Sequence, residues 1–409
     1  MNPIRILLID TGKEWGGGTN SMIELLKRID RKRFQVTTLF YENYAKGQDW
    51  DLRRELESIG MSLTLLPPIR RPVWAKIVKE IFRTFLFWSD RIRSKAIFEV
   101  DYIWRIKPNA ERIKTEVIKG KYDLLYMNNQ PSSNLEGYLA GKDTGLPVVQ
   151  HARIVAQLNQ MEIQIASAYA TRIICVSQGV QDDLVRQGID PAKCAVVYNG
   201  IDANQTLPIA PSATELRDAN PNQNIRIGVV GQLVARKAVG HLLEAAVLIR
   251  AQSTTRFTIT IIGTGPEREH LEEKTRQLGL SEIVTFWGFL ANPIDAMMEL
   301  DVVVLSSAAE GFPRVMLEAM LLAKPVVATR IAGTQELVRD GVTGLLYEFG
   351  DIDALAGHLK RLMSDDSLRR AMGRAGRSVV ENDYSIEKYV TGVERILSEA
   401  QEEGRCSIS

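Results

Sequence analysis

Cysteine and histidine are scarce in this chain. Three cysteines (Cys175, Cys194, Cys406) and four histidines stand among 409 residues, with no Cys-x-x-Cys or His-x-x-x-His spacing. That scarcity excludes a disulfide framework and a closed structural metal site, and a reducing cytosol is the expected compartment. Long apolar runs are missing as well. No stretch reaches the roughly 18 uncharged apolar residues that a membrane-spanning helix needs. The first apolar run, Ile4 to Ile9, is too short for a signal peptide and reads as a β-strand. An excess of one charge is also absent: 51 Lys and Arg against 50 Asp and Glu give no reason to expect nucleic acid as a partner.

What is present is the composition of a soluble globular protein, 45% hydrophobic and 25% charged, in a chain long enough for two or three domains. Strand-like and helix-like runs alternate throughout, which argues for parallel sheets covered by helices. The predicted strands of the first half are Ile4–Ile9, Val36–Phe40, Leu63–Leu66, Leu124–Met127, Val148–Gln150, Ile173–Val176 and Ala195–Tyr198. From Asp202 to Asn224 three prolines and several asparagines interrupt the apolar periodicity, as a linker would. The alternation restarts with Ile225–Val230, Phe257–Ile262, Val284–Phe286, Val302–Leu305 and Val326–Ala328. The expected fold is α/β, two Rossmann-like doubly wound domains facing each other across a cleft. Residues 1–203 form the first, on the acceptor side; 204–224 form the linker and 225–385 the second. Residues 386–409 form a C-terminal helix and tail that packs back on the first domain.

Residues 70–107 break this rhythm. Trp74, Ile77, Val78, Ile81, Phe82, Phe85 and Leu86 recur at helical spacing. Ten Lys or Arg stand there against four Asp or Glu, together with Trp74, Trp88 and Trp104. Basic charge with aromatic anchors suits a helix lying on an anionic membrane surface. The same stripe also suits an insertion packed against its own domain.

The candidate chemistry gathers where strands end. Glu310 and Glu318 lie in the run Ala309-Glu310-Gly311-Phe312-Pro313-Arg314-Val315-Met316-Leu317-Glu318, after the strand Val302–Leu305. Pro313 suits the first turn of a helix, which places Glu310 in the preceding loop and Glu318 within the helix. Ligands of open α/β sheets bind at that carboxyl edge, and helix N-termini favour phosphate. Two carboxylates beside such a cradle suit hydroxyls, and a sugar nucleotide carries both groups. Gly231-Gln232 with Arg236-Lys237, and Gly263-Thr264-Gly265, follow earlier strands at the same edge. In the first half, Gly16-Gly17-Gly18 opens a helix without the spacing of a dinucleotide or P-loop motif. His151 ends a strand, where it could reach a substrate; His241, His270 and His358 fall in predicted helices.

In order and spacing these residues resemble glycosyltransferase family 4, the retaining enzymes with the GT-B fold. The likeness is strongest from Gly231 to Gly344, where Glu310 and Glu318 reproduce an E-x7-E motif, followed by Ala323-Lys324-Pro325 and Ala332-Gly333-Thr334. Gly16–Gly18, His151, Val176-Ser177 and Asn199-Gly200-Ile201-Asp202 carry it more loosely in the first half. The resemblance implies transfer of a sugar from a nucleotide-diphosphate donor to an acceptor hydroxyl, with retention and without a metal or other cofactor. It assigns Glu310 to the donor sugar, Glu318 to the ribose and Lys237 to the diphosphate. The amides of Phe312, Arg314 and Val315, with Gly311, would complete the phosphate cradle, and His151 would bond the transferred sugar. Gly17, Gly18, Gly231, Gln232, Arg236, Gly263 and Gly265 would line the donor. Gln232 stands where the family often has Arg, so Arg236 or Arg314 would supply that charge. The expected acceptor is a glycan or lipid-linked glycan of polysaccharide or lipopolysaccharide synthesis, met at the inner face of the cytoplasmic membrane. A small soluble acceptor, or a non-catalytic sugar-nucleotide-binding subunit, are the alternatives.

Overall fold

The computed structural model describes residues 2–12, 15–47, 50–70, 72–85, 88–206 and 224–406. Leu86 and most of the expected linker, positions 207–223, lie outside them. The chain forms two compact units: Met1–Val197 with Val390–Ser409, and Tyr198–Tyr389.

The first unit is a seven-stranded sheet built from β1 (Ile4–Asp10), β2 (Phe34–Phe40), β3 (Leu63–Leu65), β4 (Leu124–Met127), β5 (Val148–Ala152), β6 (Arg172–Cys175) and β7 (Cys194–Val196). Every pairing is parallel and the order is β3-β2-β1-β4-β5-β6-β7. The strands are predominantly apolar because helices cover both faces of a parallel sheet. Leu124–Met127 is buried at every position. The helix Ile386–Cys406 contributes Glu394, which accepts from the Asp30 amide at 2.7 Å.

The second unit is a six-stranded parallel sheet of β8 (Ile225–Val230), β9 (Phe257–Ile262), β10 (Val284–Gly288), β11 (Val302–Leu305), β12 (Val326–Thr329) and β13 (Gly344–Tyr347). Its order is β10-β9-β8-β11-β12-β13. The strand β13 was not among the predicted ones. Its four residues begin with glycine and give too short a run to stand out, yet all four are buried.

Both sheets share the doubly wound order in which the winding reverses beside the first strand of each unit. Such a reversal leaves a crevice at the carboxyl ends of the two central strands. Here those strands are β1 and β4 in the first unit, and β8 and β11 in the second.

The basic segment folds as the helices Val73–Phe85 and Asp90–Asp101, the π-turn Tyr102–Ile106 and the start of the helix Lys107–Gly120. The apolar stripe faces outward. Val73, Ile77, Ile81 and Phe85, one turn apart, are 76%, 58%, 46% and 65% exposed, whereas Ala75 and Lys79 are buried. Part of the basic excess is neutralised within the fold: Lys79 pairs with Asp101, Arg83 with Glu80 and Arg105 with Glu136. No helix among the described residues is long and apolar enough to cross a membrane.

Candidate functional site

At the reversal point of the second sheet, two loops close on each other. After β8, Gly231 leads into a short 3-10 turn, Ala235–Lys237. After β11 comes the loop Ser306–Pro313. The Ala308 amide donates to the Arg236 carbonyl at 2.8 Å, and Ser306 Oγ to the Lys237 carbonyl at 2.9 Å. These bonds bring Lys237 Nζ to 2.6 Å from Glu310 Oε1, and Arg236 Nη1 to 3.2 Å from the same oxygen. Burial alone would raise the pKa of Glu310, but the charges of Lys237 and Arg236 outweigh it and hold the carboxyl below its usual range. The carboxylate is therefore ionised and oriented in a largely dry setting.

Glu318 sits one turn into the helix Arg314–Leu321, its side chain 13% exposed. Arg314 Nε donates to Glu318 Oε1 at 3.0 Å, the i,i+4 arrangement of a helix face. Here burial wins over the neighbouring guanidinium and raises the pKa of Glu318. Arg314 Nη1 is buried and has no hydrogen-bond partner among the described residues. Pro313 is the N-cap, and the helix proper begins at Arg314. Arg314 and Val315 are then its first two residues, whose amides have no acceptor within the helix.

Gly311 and Phe312 are buried in the loop. Asn199 Nδ2 donates to the Phe312 carbonyl at 3.1 Å, and Tyr198 and Tyr384 pack on the Phe312 ring. The loop is also braced from below by Gly333, at φ +72°. A Cβ there would stand 2.0 Å from the Gly311 carbonyl oxygen.

The glycines after β8 and β9 serve loop packing. At Gly263 (φ +145°) a Cβ would stand 1.8 Å from the Gly231 carbonyl oxygen. One at Gly265 would meet the Leu233 carbonyl at 2.3 Å. Only glycine lets these backbones approach so closely. Lys237 lies across Gly231, where a Cβ would be 3.8 Å from its Cε. Gln232 lies in the same loop, between Gly231 and Leu233.

The first unit repeats the arrangement at its own reversal point. Asp10 ends β1 and Asn128 follows β4. Asp10 Oδ2 accepts from Asn128 Nδ2 at 2.6 Å, and Oδ1 from the Gly12 amide at 2.6 Å. Asn128 Oδ1 in turn accepts from Arg153 Nε at 2.9 Å. Burial raises the pKa of Asp10, with Asn128, the Gly12 amide and Arg153 pulling the other way. Asp10, Asn128 and Arg153 were not among the sequence candidates, although each follows or ends an apolar run at a strand end. Gly17 and Gly18 open the helix Gly17–Arg28, and the stem of Arg153 runs 3.7 Å from where a Cβ of Gly18 would be. His151 is the penultimate residue of β5, fully buried, with Nδ1 2.7 Å from the Tyr126 hydroxyl. Burial, and then the Arg153 charge, push its pKa well below the usual value, so the ring is neutral. His241, His270 and His358 fall within helices, where they were expected.

Comparison with known proteins adds to this geometry. Residues 15–205 match the family model of Glycosyltransferase Family 4, and residues 214–379 that of Glycosyl transferases group 1. The capsular polysaccharide biosynthesis glycosyltransferase CapM of Staphylococcus aureus is 28% identical over 230 residues, 54% of this chain and 60% of that protein. The N-acetylgalactosamine-N,N'-diacetylbacillosaminyl-diphospho-undecaprenol 4-alpha-N-acetylgalactosaminyltransferase of Campylobacter jejuni is 32% identical over 218 residues, 52% of this chain and 56% of that protein. In these alignments the chain spans less than two thirds of the curated relatives it matches. Among solved structures, Anabaena HepE in complex with UDP-glucose superposes with a TM-score of 0.76 at 22% identity, covering 97% of this chain and 100% of that one. That likeness extends over both sheets and speaks for the fold.

Proposed function

The chain belongs to glycosyltransferase family 4, of GT-B architecture, and from that premise we propose that it moves a sugar from a nucleotide-diphosphate donor to an acceptor hydroxyl, with retention and without a metal. One observation carries the reading: Lys237 and Arg236 converge on Glu310 at the reversal point of the second sheet, beside the N-terminus of the helix Arg314–Leu321. The anomeric carbon–oxygen bond breaks as the diphosphate leaves, and negative charge grows on its oxygens. Lys237, Arg236 and the first helix amides supply positive charge in place, so little reorganisation accompanies that step. Glu310, kept ionised, accepts from hydroxyls of the donor sugar. Glu318 accepts from the ribose hydroxyls, with Arg314 orienting it.

The acceptor in this proposal is a lipid-linked or cell-surface glycan, met at the inner face of the cytoplasmic membrane. Support comes from the outward apolar stripe Val73–Ile77–Ile81–Phe85 with its basic surroundings. The name of the Campylobacter relative points to an undecaprenol-linked acceptor for that enzyme. The test is turnover of a panel of nucleotide sugars, with membrane lipid extract and soluble sugars as alternative acceptors, and product anomeric configuration read by NMR. Turnover with soluble sugars alone would favour a small-molecule transferase. Binding of a nucleotide sugar without any turnover would favour a non-catalytic sugar-nucleotide-binding role.

A further inference from the structure

The carboxyl edge of the first unit holds a second polar cluster, separate from the Asp10–Asn128–Arg153 chain. Tyr41 directly follows β2 and is 6% exposed. Glu136 is the second residue of the helix Leu135–Thr144, 1% exposed. Arg105 lies on the π-turn Tyr102–Ile106 and donates through Nη1 to Glu136 Oε1 at 2.8 Å. Glu136 and Arg105 both act electrostatically on the Tyr41 hydroxyl, so the three groups share one neighbourhood.

Three polar atoms of this cluster are buried without a hydrogen-bond partner of normal geometry among the described residues: the Tyr41 hydroxyl, Glu136 Oε2 and Arg105 Nε. An orphaned buried polar group carries an unrepaid desolvation cost, so three together are a large liability for a purely structural contact. The π-turn is a second sign, since such turns are rare and recur at functional sites. The atoms offer one acceptor, one hydroxyl that both donates and accepts, and one donor. Sugar hydroxyls, which both donate and accept, complement all three. A phosphate would face Glu136 and the nearby Glu162, whose pKa is itself raised by burial. A cation would face Arg105. A neutral polyhydroxylated ring meets neither objection.

We propose that Tyr41, Arg105 and Glu136 form a subsite for a neutral sugar ring of the acceptor. Arg105 lies nearest the surface, its side chain 29% exposed while Glu136 stays covered. Its neighbour on the π-turn, Trp104, is exposed and packs edge-on against Trp74 with ring centroids 4.6 Å apart. The turn thus carries a polar group inward and an aromatic surface outward. That suits an acceptor whose sugar is joined to an apolar portion. The assignment rests on the glycosyl-transfer reading, and its test is independent of the donor.

The experiment measures binding to the full chain by saturation-transfer NMR. The probes are octyl glucoside, octyl galactoside and octyl N-acetylglucosaminide, kept below micelle-forming concentrations; UDP, GDP and ADP are titrated separately. Wild type is expected to bind at least one glycoside. Tyr41→Phe and Glu136→Gln are expected to weaken it by about tenfold each, about 1.4 kcal/mol, with nucleotide affinity unchanged. Tyr41→Phe removes an oxygen that has no hydrogen-bond partner among the described residues, so its melting temperature serves as the folding control. Equal glycoside binding by wild type and both variants would overturn the subsite, as would the absence of glycoside binding. A parallel loss of nucleotide and glycoside binding in the variants would also overturn it, marking a merely structural role. Glycoside binding that falls in the variants, without binding of any nucleotide, would support the subsite and sink the donor reading instead.

Discussion

Lys237 Nζ lies 2.6 Å from Glu310 Oε1, so the cation expected at the diphosphate and the carboxylate expected at the sugar are each other's partner. The pair spans the two central strands of the second sheet, one residue set after β8 and the other after β11. The two opposite charges are thereby held in place before any ligand arrives.

Removing one member of this pair strands the other. Breaking a buried ion pair costs about 3–5 kcal/mol, because the remaining charge is left uncompensated. Glu310 has Arg236 in reserve, so Lys237→Met should fall toward the low end of that range. Glu310→Gln leaves two cations together and should cost at least as much. The double variant should be less destabilised than the sum of the singles, by about 1 kcal/mol or more. Urea unfolding of the three variants measures this, and strict additivity would show that the pair is not coupled.

The two glutamates should titrate with opposite sign. Glu310 has its pKa lowered from 4.5, so it adds stability that is present above 4.5 and lost as pH falls through the lower folded value. Glu318 has its pKa raised from 4.5, so its contribution is fully present below 4.5 and is lost as pH rises through the higher folded value. Glutamine does not titrate. As pH rises from 3 to about 7, the melting temperature of Glu310→Gln should therefore fall relative to wild type, and that of Glu318→Gln should rise relative to it. Parallel trends in the two variants would refute the assignment.

Gly333→Ala should destabilise the second unit by about 2–4 kcal/mol, through positive φ and a clash with backbone that has no free end to swing away. The added Cβ would meet the Gly311 carbonyl, so the damage falls on the loop that carries Glu310. A calorimetric melt reads the effect. A loss below about 0.5 kcal/mol, the range of ordinary surface changes, would mean the loop moves aside freely.

The outward stripe predicts binding to anionic vesicles. Ile77→Asp with Phe85→Ser removes apolar area and adds a negative charge, and each basic group near such a surface is worth about 1 kcal/mol. Co-sedimentation should drop at least tenfold for this variant, and wild-type binding should weaken with salt. Equal sedimentation of both proteins would remove the membrane from the account.

The fold was legible because the parallel strands are mostly apolar runs bounded by turns, the cleanest being Val302–Leu305. The run Gly344–Tyr347 escaped because four residues led by glycine look like a turn. Glu310 and Lys237 were legible as residues following strands, but their bond was not, since it depends on β8 and β11 being neighbours. The same limit hid Asp10–Asn128, 118 residues apart and joined only through the adjacency of β1 and β4. Periodicity revealed the stripe of the basic segment and was silent on its direction. Burial of Lys79 against Asp101 decides that direction, and no spacing rule announces a lysine turned inward.

The most direct test is calorimetric titration of nucleotide-diphosphate sugars into wild type and Lys237→Met. Binding of at least one donor by wild type, weakened about tenfold or more in the variant (1.4 kcal/mol or more), is the result predicted by a diphosphate held at Lys237. Equal affinity in the two proteins, or no donor bound by wild type, would contradict it.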